Sequence, residues 1–312
     1  MLVRPKRAFP GTLFLLKGTA ISQIAPWLVV LVLGSAVMVA NDEAWGLEAV
    51  HLSTIPFSLI GLALSIFLGF RNNACYDRWW EARKLWGKLI NTTRTLARQT
   101  VTLVGPSDGA DAEAVTALHR QQIHRTVAYV HALRVHLRRQ SVFIDLQPFL
   151  PGEEMTAVRE SRNPPITLLR HLAEGYREGF DKGWVHPMHL RVLEETVTLL
   201  TDIQGGCERI KNTPVPLSYT ALTHRIVGVY CAALPFGLIG ELGNMTPLVV
   251  GIVAFAFLGL DAVGTQIEDP FEEDPNDLPL SAISRMLEND LREVLGETDL
   301  RPDLGPVDGI LL

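Results

Sequence analysis

The sequence predicts an all-α integral membrane protein, in which four membrane-spanning helices flank a helical cytoplasmic domain. Of its 312 residues, 47% are hydrophobic and only 20% are charged, and the mean hydropathy is +0.19, which is unlike an ordinary soluble enzyme. The apolar residues are concentrated in two stretches, 24–70 and 226–267, whereas the residues between them are as charged as those of a cytosolic protein. Neither an alternating strand pattern nor an internal repeat of fixed period is visible, so we expect helices throughout.

Four segments are apolar over about the 20 residues that a helix needs to cross a bilayer. They are 24–40, 52–70, 226–242 and 245–262. Pro247 falls in the first turn of the fourth segment, where the missing N–H of proline costs no intrahelical bond. We therefore predict two helical hairpins in lipid, one on each side of the polar domain.

The distribution of Lys and Arg predicts the orientation of these hairpins. Neither residue type occurs between Lys17 and Arg71, or between Arg225 and Arg285. Because translocated loops avoid positive charge, both short hairpin loops should lie outside the cell. Both termini and the domain 71–225 are then expected in the cytoplasm.

We expect five parts along the chain. They are an N-terminal membrane-surface segment (1–23), a first hairpin (24–70), a cytoplasmic helical domain (71–225), a second hairpin (226–264) and an acidic cytoplasmic tail (265–312). In the first part Lys17 interrupts the apolar run and no small-residue cleavage site follows, so we interpret it as a retained amphipathic segment rather than a secretion signal.

The cytoplasmic domain reads as a set of helices. The second span continues without a break into DRWWEARKLWGKLINTTRTLARQ, so its helix should extend well beyond the membrane. Further helices are predicted at about 112–140, 165–180 and 187–211, with a polar loop near 106–109 and a proline-rich interruption between them.

Composition and spacing exclude several function classes. The net charge of −6 offers no basic face for nucleic acid. The three cysteines form no CxxC pair and are expected to be reduced thiols. No nucleophile stands at a recognisable spacing from a base, and no Gly-rich phosphate loop is present, so we predict neither an enzyme nor a bound cofactor.

Four histidines, His119, His124, His131 and His136, fall on one predicted helix. At 100° per residue only His124 and His131 share a face. A packed or solvated histidine helix is therefore favoured over a metal site, and no metal ligands are assigned.

Two acidic features leave alternatives open. The run IEDPFEEDPNDLPL could bind a hard cation such as calcium, or could be an acidic turn that pairs with basic neighbours. Asp261, near the inner end of the fourth span, is either a functional intramembrane group or a wet residue at the membrane boundary.

A bulky apolar stripe marks the second span, where Leu62, Ile66 and Phe70 recur every four residues. Gly61, Ala63, Ser65 and Gly69 keep other parts of the surface thin. Such a stripe either packs against other helices or forms a hydrophobic constriction that gates ions by dewetting.

Three long segments carry a family pattern: IPFSLIGLALSIFLGFRNNACYDRWWEARKLWGKLI, CERIKNTPVPLSY and IEDPFEEDPNDLPL. They resemble the bestrophin family, and more closely its bacterial branch. The segments are spread over most of the chain, and only about 100–184 lacks a recognisable motif.

The resemblance implies a homopentamer around one central pore, in the lipid bilayer of a bacterial inner membrane. The second helix of the family lines a neck through three apolar positions, which match Leu62, Ile66 and Phe70 across the LGF and RWW signatures. The family has a second constriction at an x-Pro-apolar step upstream of the segment written here GGCER. The matching step is HisProMet, so Met188 is the candidate.

Eukaryotic bestrophins are calcium-activated chloride channels, whose calcium clasp is an unbroken acidic run after a PF dipeptide. Here Pro275 and Asn276 interrupt that run. Asp274 and Asp277 remain candidate ligands, but we predict that calcium is not required. Bacterial relatives are associated with cations, so we expect a channel for monovalent cations. The alternatives are an anion (chloride) channel of the same architecture, a secondary transporter or a membrane-anchored scaffold.

Overall fold

The computed structural model describes residues 1, 3, 18–45, 52–105, 112–141 and 143–312, and of residues 43–45 it describes the backbone alone. Residues 4–17 of the expected membrane-surface segment and the expected loop at 106–109 lie outside this range. Over the described residues the secondary structure is helical, with two isolated β-bridges, Val104–Val185 and Val307–Ile310. The predicted fold class is therefore confirmed.

The described residues form nine α-helices. In chain order they are α1 (Ile21–Trp45), α2 (Thr54–Leu103), α3 (Ala112–Leu137), α4 (Gly152–Glu160), α5 (Pro164–Asp181), α6 (Pro187–Asn212), α7 (Leu217–Leu242), α8 (Thr246–Glu268) and α9 (Leu280–Val294). They belong to two compact units. The apolar unit is the described part of Arg4–Trp79 with Pro214–Pro270, and the polar unit is Trp80–Thr213 with Phe271–Leu312 and residues 1 and 3.

The four predicted spans are helical, with the second helix beginning at Thr54 and the fourth at Thr246. These four helices fall in three ranges that are long and apolar enough to cross a membrane: Ile21–Asp42, Thr54–Leu103 and Leu217–Glu268. The last range contains two helices, because a 3-10 turn, Gly243–Met245, separates α7 from α8. Gly243 has φ +49°, a backbone conformation that favours glycine. The chain reverses there, and the Tyr230 ring of α7 meets Phe257 of α8 edge-on at 5.2 Å.

The apolar unit has a small core shared by α2, α7 and α8. Its buried members are Leu64, Leu68, Val227, Tyr230, Cys231, Leu234, Val250 and Ala254. Two glycines make room for aromatic rings between α2 and α7. A Cβ at Gly61 would lie 2.6 Å from the Tyr230 hydroxyl, and one at Gly237 would lie 2.3 Å from the Phe57 ring.

The polar unit is organised around α3, whose C-terminal half is buried almost all round. Helices α5 and α9 pack against it, and α6 packs against α5. The starts of α5 and α6 follow from local sequence. Asn163 caps α5 by accepting from the N–H of Ile166 at 3.3 Å, and His186 caps α6 by accepting from the N–H of Met188 at 3.3 Å. Prolines occupy the first turn of both helices.

The helices predicted at 112–140, 165–180 and 187–211 correspond to α3, α5 and α6, and the long extension of the second span is confirmed by α2. Two helices, α4 and α9, were not predicted. Helix α9 lies in the range expected to be an acidic tail. Its buried residues Leu280, Ser284, Leu287 and Leu291 recur at helical spacing, which was a readable signal.

Candidate functional site

Helix α2 exposes one bulky apolar stripe and buries another. The exposed fractions of Leu62, Ile66 and Phe70 are 64%, 52% and 66%, whereas those of Leu64 and Leu68 are 3% and 0%. The two sets alternate on one helix because residues four apart share a face and residues two apart do not. The stripe of Leu62, Ile66 and Phe70 is therefore not part of the core of its own chain.

The residues beside the stripe have small side chains, and the Ser65 hydroxyl among them is hydrogen-bonded. An ideal Cβ at Gly69 meets no atom within 4 Å, and Ala63 is also exposed. The Ser65 hydroxyl donates to the carbonyl of Leu62 at 2.7 Å, so it presents no unpaired donor to an apolar environment. A neighbouring molecule would therefore contact large, uncharged side chains at this stripe.

Asp77 is the first charged side chain on this face beyond Phe70. It lies seven residues further along α2, and so on the same side of the helix. Asp77 is exposed, and among the residues that the structure describes no cation lies within ion-pair distance of its carboxylate. A carboxylate thus follows the apolar stripe along α2.

Arg71, directly after Phe70, turns inward and is 1% exposed. Its Nη1 lies 2.7 Å from Oδ1 of Asp261 and also donates to the Asp261 carbonyl at 3.1 Å. Its Nη2 donates to Thr265 Oγ1 at 2.9 Å and lies 3.7 Å from a Glu268 carboxylate oxygen. His224 bonds through Nδ1 to the second oxygen of Asp261.

This ionic cluster speaks against the interpretation of Asp261 as a wet residue at the membrane boundary. Asp261 is 8% exposed, and its carboxylate is the partner of a buried guanidinium. Sequence reasoning missed Arg71. A signal was available, since Arg71 and Asp261 are single charges of opposite sign at the C-terminal ends of two apolar spans.

Met188, in the polar unit, lies in the first turn of α6 and is 63% exposed. Val192 and Leu199 follow on the same face, with exposed fractions of 38% and 40%. The apolar step at Met188 therefore belongs to a longer exposed apolar stripe. The structure fixes its helix position through the Pro187 turn and the His186 cap.

The histidines of α3 bond to carboxylates or a carbonyl rather than to each other. His131 lies 3.0 Å from Glu288, His124 lies 2.9 Å from Glu297 and His136 lies 3.2 Å from Glu208, and His119 bonds to the Val104 carbonyl. The predicted shared face of His124 and His131 is confirmed, because both rings contact Phe149. Within the described residues no group of three His, Cys, Asp or Glu side chains is placed to hold a metal ion.

The acidic run is organised by basic side chains of the polar unit. Arg138 donates to the Phe271 carbonyl at 3.1 Å and pairs with Glu273 at 2.9 Å, and Lys211 pairs with Glu272. The N–H of Asp274 donates to the carboxylate of Asp277 at 2.7 Å. This arrangement favours the acidic turn over the calcium site.

The comparisons with known proteins agree on one family. A family model described as "Bacterial/Fungal Bestrophin protein" matches residues 1–293. The chain is 41% identical over 300 residues to the voltage-dependent anion channel-forming protein of Ralstonia nicotianae, covering 96% of both chains. It is 33% identical over 306 residues to the voltage-dependent anion channel-forming protein YneE of Escherichia coli K12, covering 98% of both. The crystal structure of a bacterial bestrophin homologue from Klebsiella pneumoniae matches with a TM-score of 0.82 at 34% identity, covering 88% of this chain and 99% of that chain.

Proposed function

The chain belongs to the family of bacterial and fungal bestrophins, and we propose that it forms a homopentameric channel for monovalent cations with a neck of Leu62, Ile66 and Phe70. Membership of this family supports a membrane protein that acts as an ion channel. The subunit number, the neck and the permeant ion are the finer parts of the proposal.

The exposure of the stripe carries the proposal for the neck. Three large apolar side chains stand one turn apart on α2 and remain exposed in the described part of the chain, although Leu64 and Leu68 of the same helix are buried. Several copies of α2 around an axis would bring these side chains together as an apolar sleeve. Such a sleeve holds water weakly, so an ion passes only by giving up part of its hydration.

Met188 is proposed as a second constriction on the cytoplasmic side. Its support is the resemblance together with its exposure at the start of α6. Because Pro187 and the His186 cap fix this turn, a ring of methionines there would have a defined diameter.

Asp77 supports cations as the permeant ions. A ring of carboxylates directly after the neck would attract cations and repel anions. The competing candidate is anion conduction, which the names of the relatives from Ralstonia nicotianae and Escherichia coli favour. The reversal potential of the purified protein in a planar bilayer under a salt gradient distinguishes the two by its sign.

The same recording tests the channel itself. A scaffold passes no current and a transporter passes far less than a pore, so discrete single-channel steps are expected from the protein and not from lipid alone. Chemical cross-linking of the detergent-solubilised protein should give a ladder that ends at five subunits. A cross-linking ladder that ends at two subunits, together with an absence of current, would contradict the proposal.

We also propose that the protein lies in the inner membrane with both termini in the cytoplasm. The three native cysteines are free and buried, so the wild type provides a low background for thiol labelling. Asn244→Cys, in the loop between α7 and α8, should react with an impermeant maleimide added outside. Glu174→Cys, on α5, should react only after the membrane is opened, and the reverse pattern contradicts the orientation.

A further inference from the structure

A cavity of about 340 Å³ lies in the polar unit. It is bounded by the end of α3, the linker before α5 and the end of α6. Its polar lining includes Arg139, Ser141, Ser161, Arg162, Lys211 and Asn212. Three cationic side chains therefore border one small space, whose volume suits a small molecule.

Arg139, just after the end of α3, has the left-handed backbone conformation in which glycine is usually found. Its φ is +52°. The N–H of Arg139 donates to the His136 carbonyl at 3.1 Å, and the N–H of Gln140 donates to the Val135 carbonyl at 3.0 Å, which is the bonding of a left-handed helix cap. An arginine here strains the backbone where glycine would not, and its side chain belongs to the lining of the cavity.

Neither Arg139 nor Arg162 is neutralised within the part of the chain that the structure describes. The Arg139 guanidinium lies 3.5 Å from the Asn212 side-chain oxygen, and no carboxylate is within ion-pair distance of either arginine. The carboxylate in the cavity, Glu208, is engaged by His136, Asn163 and Gln204. Lys211 pairs with Glu272. The two arginines keep their charge available.

Helix dipoles explain only part of this arrangement. A cation near the C-terminal end of α3 or α6 is stabilised by the partial negative charge of that end, which accounts for Arg139 and Lys211 in part. Arg162 stands between two helix ends: it follows Ser161, the C-cap of α4, and precedes Asn163, the N-cap of α5. The dipoles of the two helices oppose each other at this point, so they leave the charge of Arg162 largely uncompensated at the cavity.

We propose that this cavity binds a phosphate monoester group, carried either by a small soluble molecule or by an anionic lipid headgroup. Guanidinium groups match the planar pairs of oxygens on a phosphate and bind them with charge-assisted hydrogen bonds. The hydroxyls of Ser141 and Ser161 add donors at the same cavity. The site goes beyond ion conduction and does not depend on it.

The test uses the intact purified oligomer with two probes. Glycerol phosphate is titrated calorimetrically in detergent, and vesicles of phosphatidylcholine with or without phosphatidic acid serve for a co-flotation assay. Arg139→Gly and Arg162→Gln should each weaken binding by about tenfold or more, the loss of a hydrogen bond to a charged group. Arg159→Gln, an exposed arginine on α4 that is outside the cavity lining, is the matched control and should bind as the wild type does.

The melting temperature separates binding from folding. Arg139→Gly relieves the left-handed strain, so its melting temperature without ligand should equal or exceed that of the wild type. Binding of glycerol phosphate supports a soluble ligand, and binding of phosphatidic acid vesicles alone supports a headgroup. If the wild type binds neither probe, if both variants bind as tightly as Arg159→Gln, or if Arg139→Gly melts earlier, the proposal is overturned.

Discussion

The Arg71 guanidinium lies 2.7 Å from the Asp261 carboxylate, and both side chains are buried although 190 residues separate them in the chain. The pair connects the C-terminal end of the α2 stripe to α8, because Arg71 directly follows Phe70 in the chain. A charge that is buried without its partner is expensive, whereas the intact pair is close to neutral in energy. The cluster therefore fixes the position of α2 against α8 more than it adds to the free energy of unfolding.

Asp261→Asn should destabilise the protein by about 3–5 kcal/mol, because it removes the negative charge nearest to the buried Arg71 and leaves only the more distant Glu268 carboxylate. The double variant Arg71→Met with Asp261→Leu should recover most of this loss, since both charges are then gone. Thermal unfolding in detergent measures each step of the cycle. Glu268→Gln, whose carboxylate is 3.7 Å from Arg71, should cost less, and equal costs for the two single variants would contradict the assignment.

Ile66→Ala and Leu68→Ala test the two faces of α2 against each other. Ile66→Ala removes bulk from the proposed neck, so single-channel conductance or open probability should rise while the melting temperature stays near that of the wild type. Leu68→Ala opens a cavity in the core and should cost about 2–5 kcal/mol with unchanged conductance. If Ile66→Ala instead melts at a lower temperature than the wild type and conducts as the wild type does, the stripe is a packing surface and the proposed neck is wrong.

Asp77→Asn should reduce the preference for cations, because it removes the charge that follows the neck on α2. The reversal potential under a salt gradient should move towards zero or to the anion side. Glu153→Gln removes an exposed carboxylate of the polar unit and should leave the potential unchanged. Equal potentials for the wild type and Asp77→Asn would exclude this carboxylate from ion selection.

Calcium should not be required for conduction, because Pro275 and Asn276 interrupt the acidic run and Arg138 pairs with Glu273 at 2.9 Å. Single-channel activity with a calcium chelator is compared with activity at micromolar calcium. Asp277→Asn should lower stability by about 1–3 kcal/mol, since the carboxylate accepts the Asp274 N–H. A current that vanished on chelation would restore Asp274 and Asp277 as ligands.

The pair His131 and Glu288 should make the polar unit sensitive to acid. Burial lowers the pKa of His131 below its ordinary value of 6.5, against the opposing effect of the Glu288 hydrogen bond. Burial alone would raise the pKa of Glu288, but the hydrogen bond from His131 and the neighbouring charges outweigh it, so that pKa lies below 4.5. In both cases the unfolded chain binds more protons than the folded one, so stability falls as the pH drops below these ordinary values.

The melting temperature should therefore decrease between pH 7 and pH 5, mainly through His131. His131→Gln keeps a donor for Glu288 but does not titrate, so the decrease should be smaller than in the wild type. His136→Gln, a partly exposed histidine paired with Glu208, is the matched control. An identical decrease in the wild type and His131→Gln would show that the acid sensitivity lies elsewhere.

The sequence by itself determined where the spans and most of the helices lie. Runs such as 24–40 and 226–242 are apolar whatever they pack against, and the caps at Asn163 and His186 act over a few residues. Helix α9 was missed because the acidic residues around it outweighed its apolar spacing. The local signals were sufficient wherever the physical cause was itself local.

Only the tertiary structure decided which face of each helix is exposed and which is buried. In the sequence Leu62, Leu64, Ile66 and Leu68 are equally apolar, and their separation into exposed and buried sets depends on where α7 and α8 pack against α2. The same holds for Asp261, whose partner Arg71 is distant in the chain. Contacts between distant segments depend on the packing of whole helices, and no periodicity within one segment contains that information.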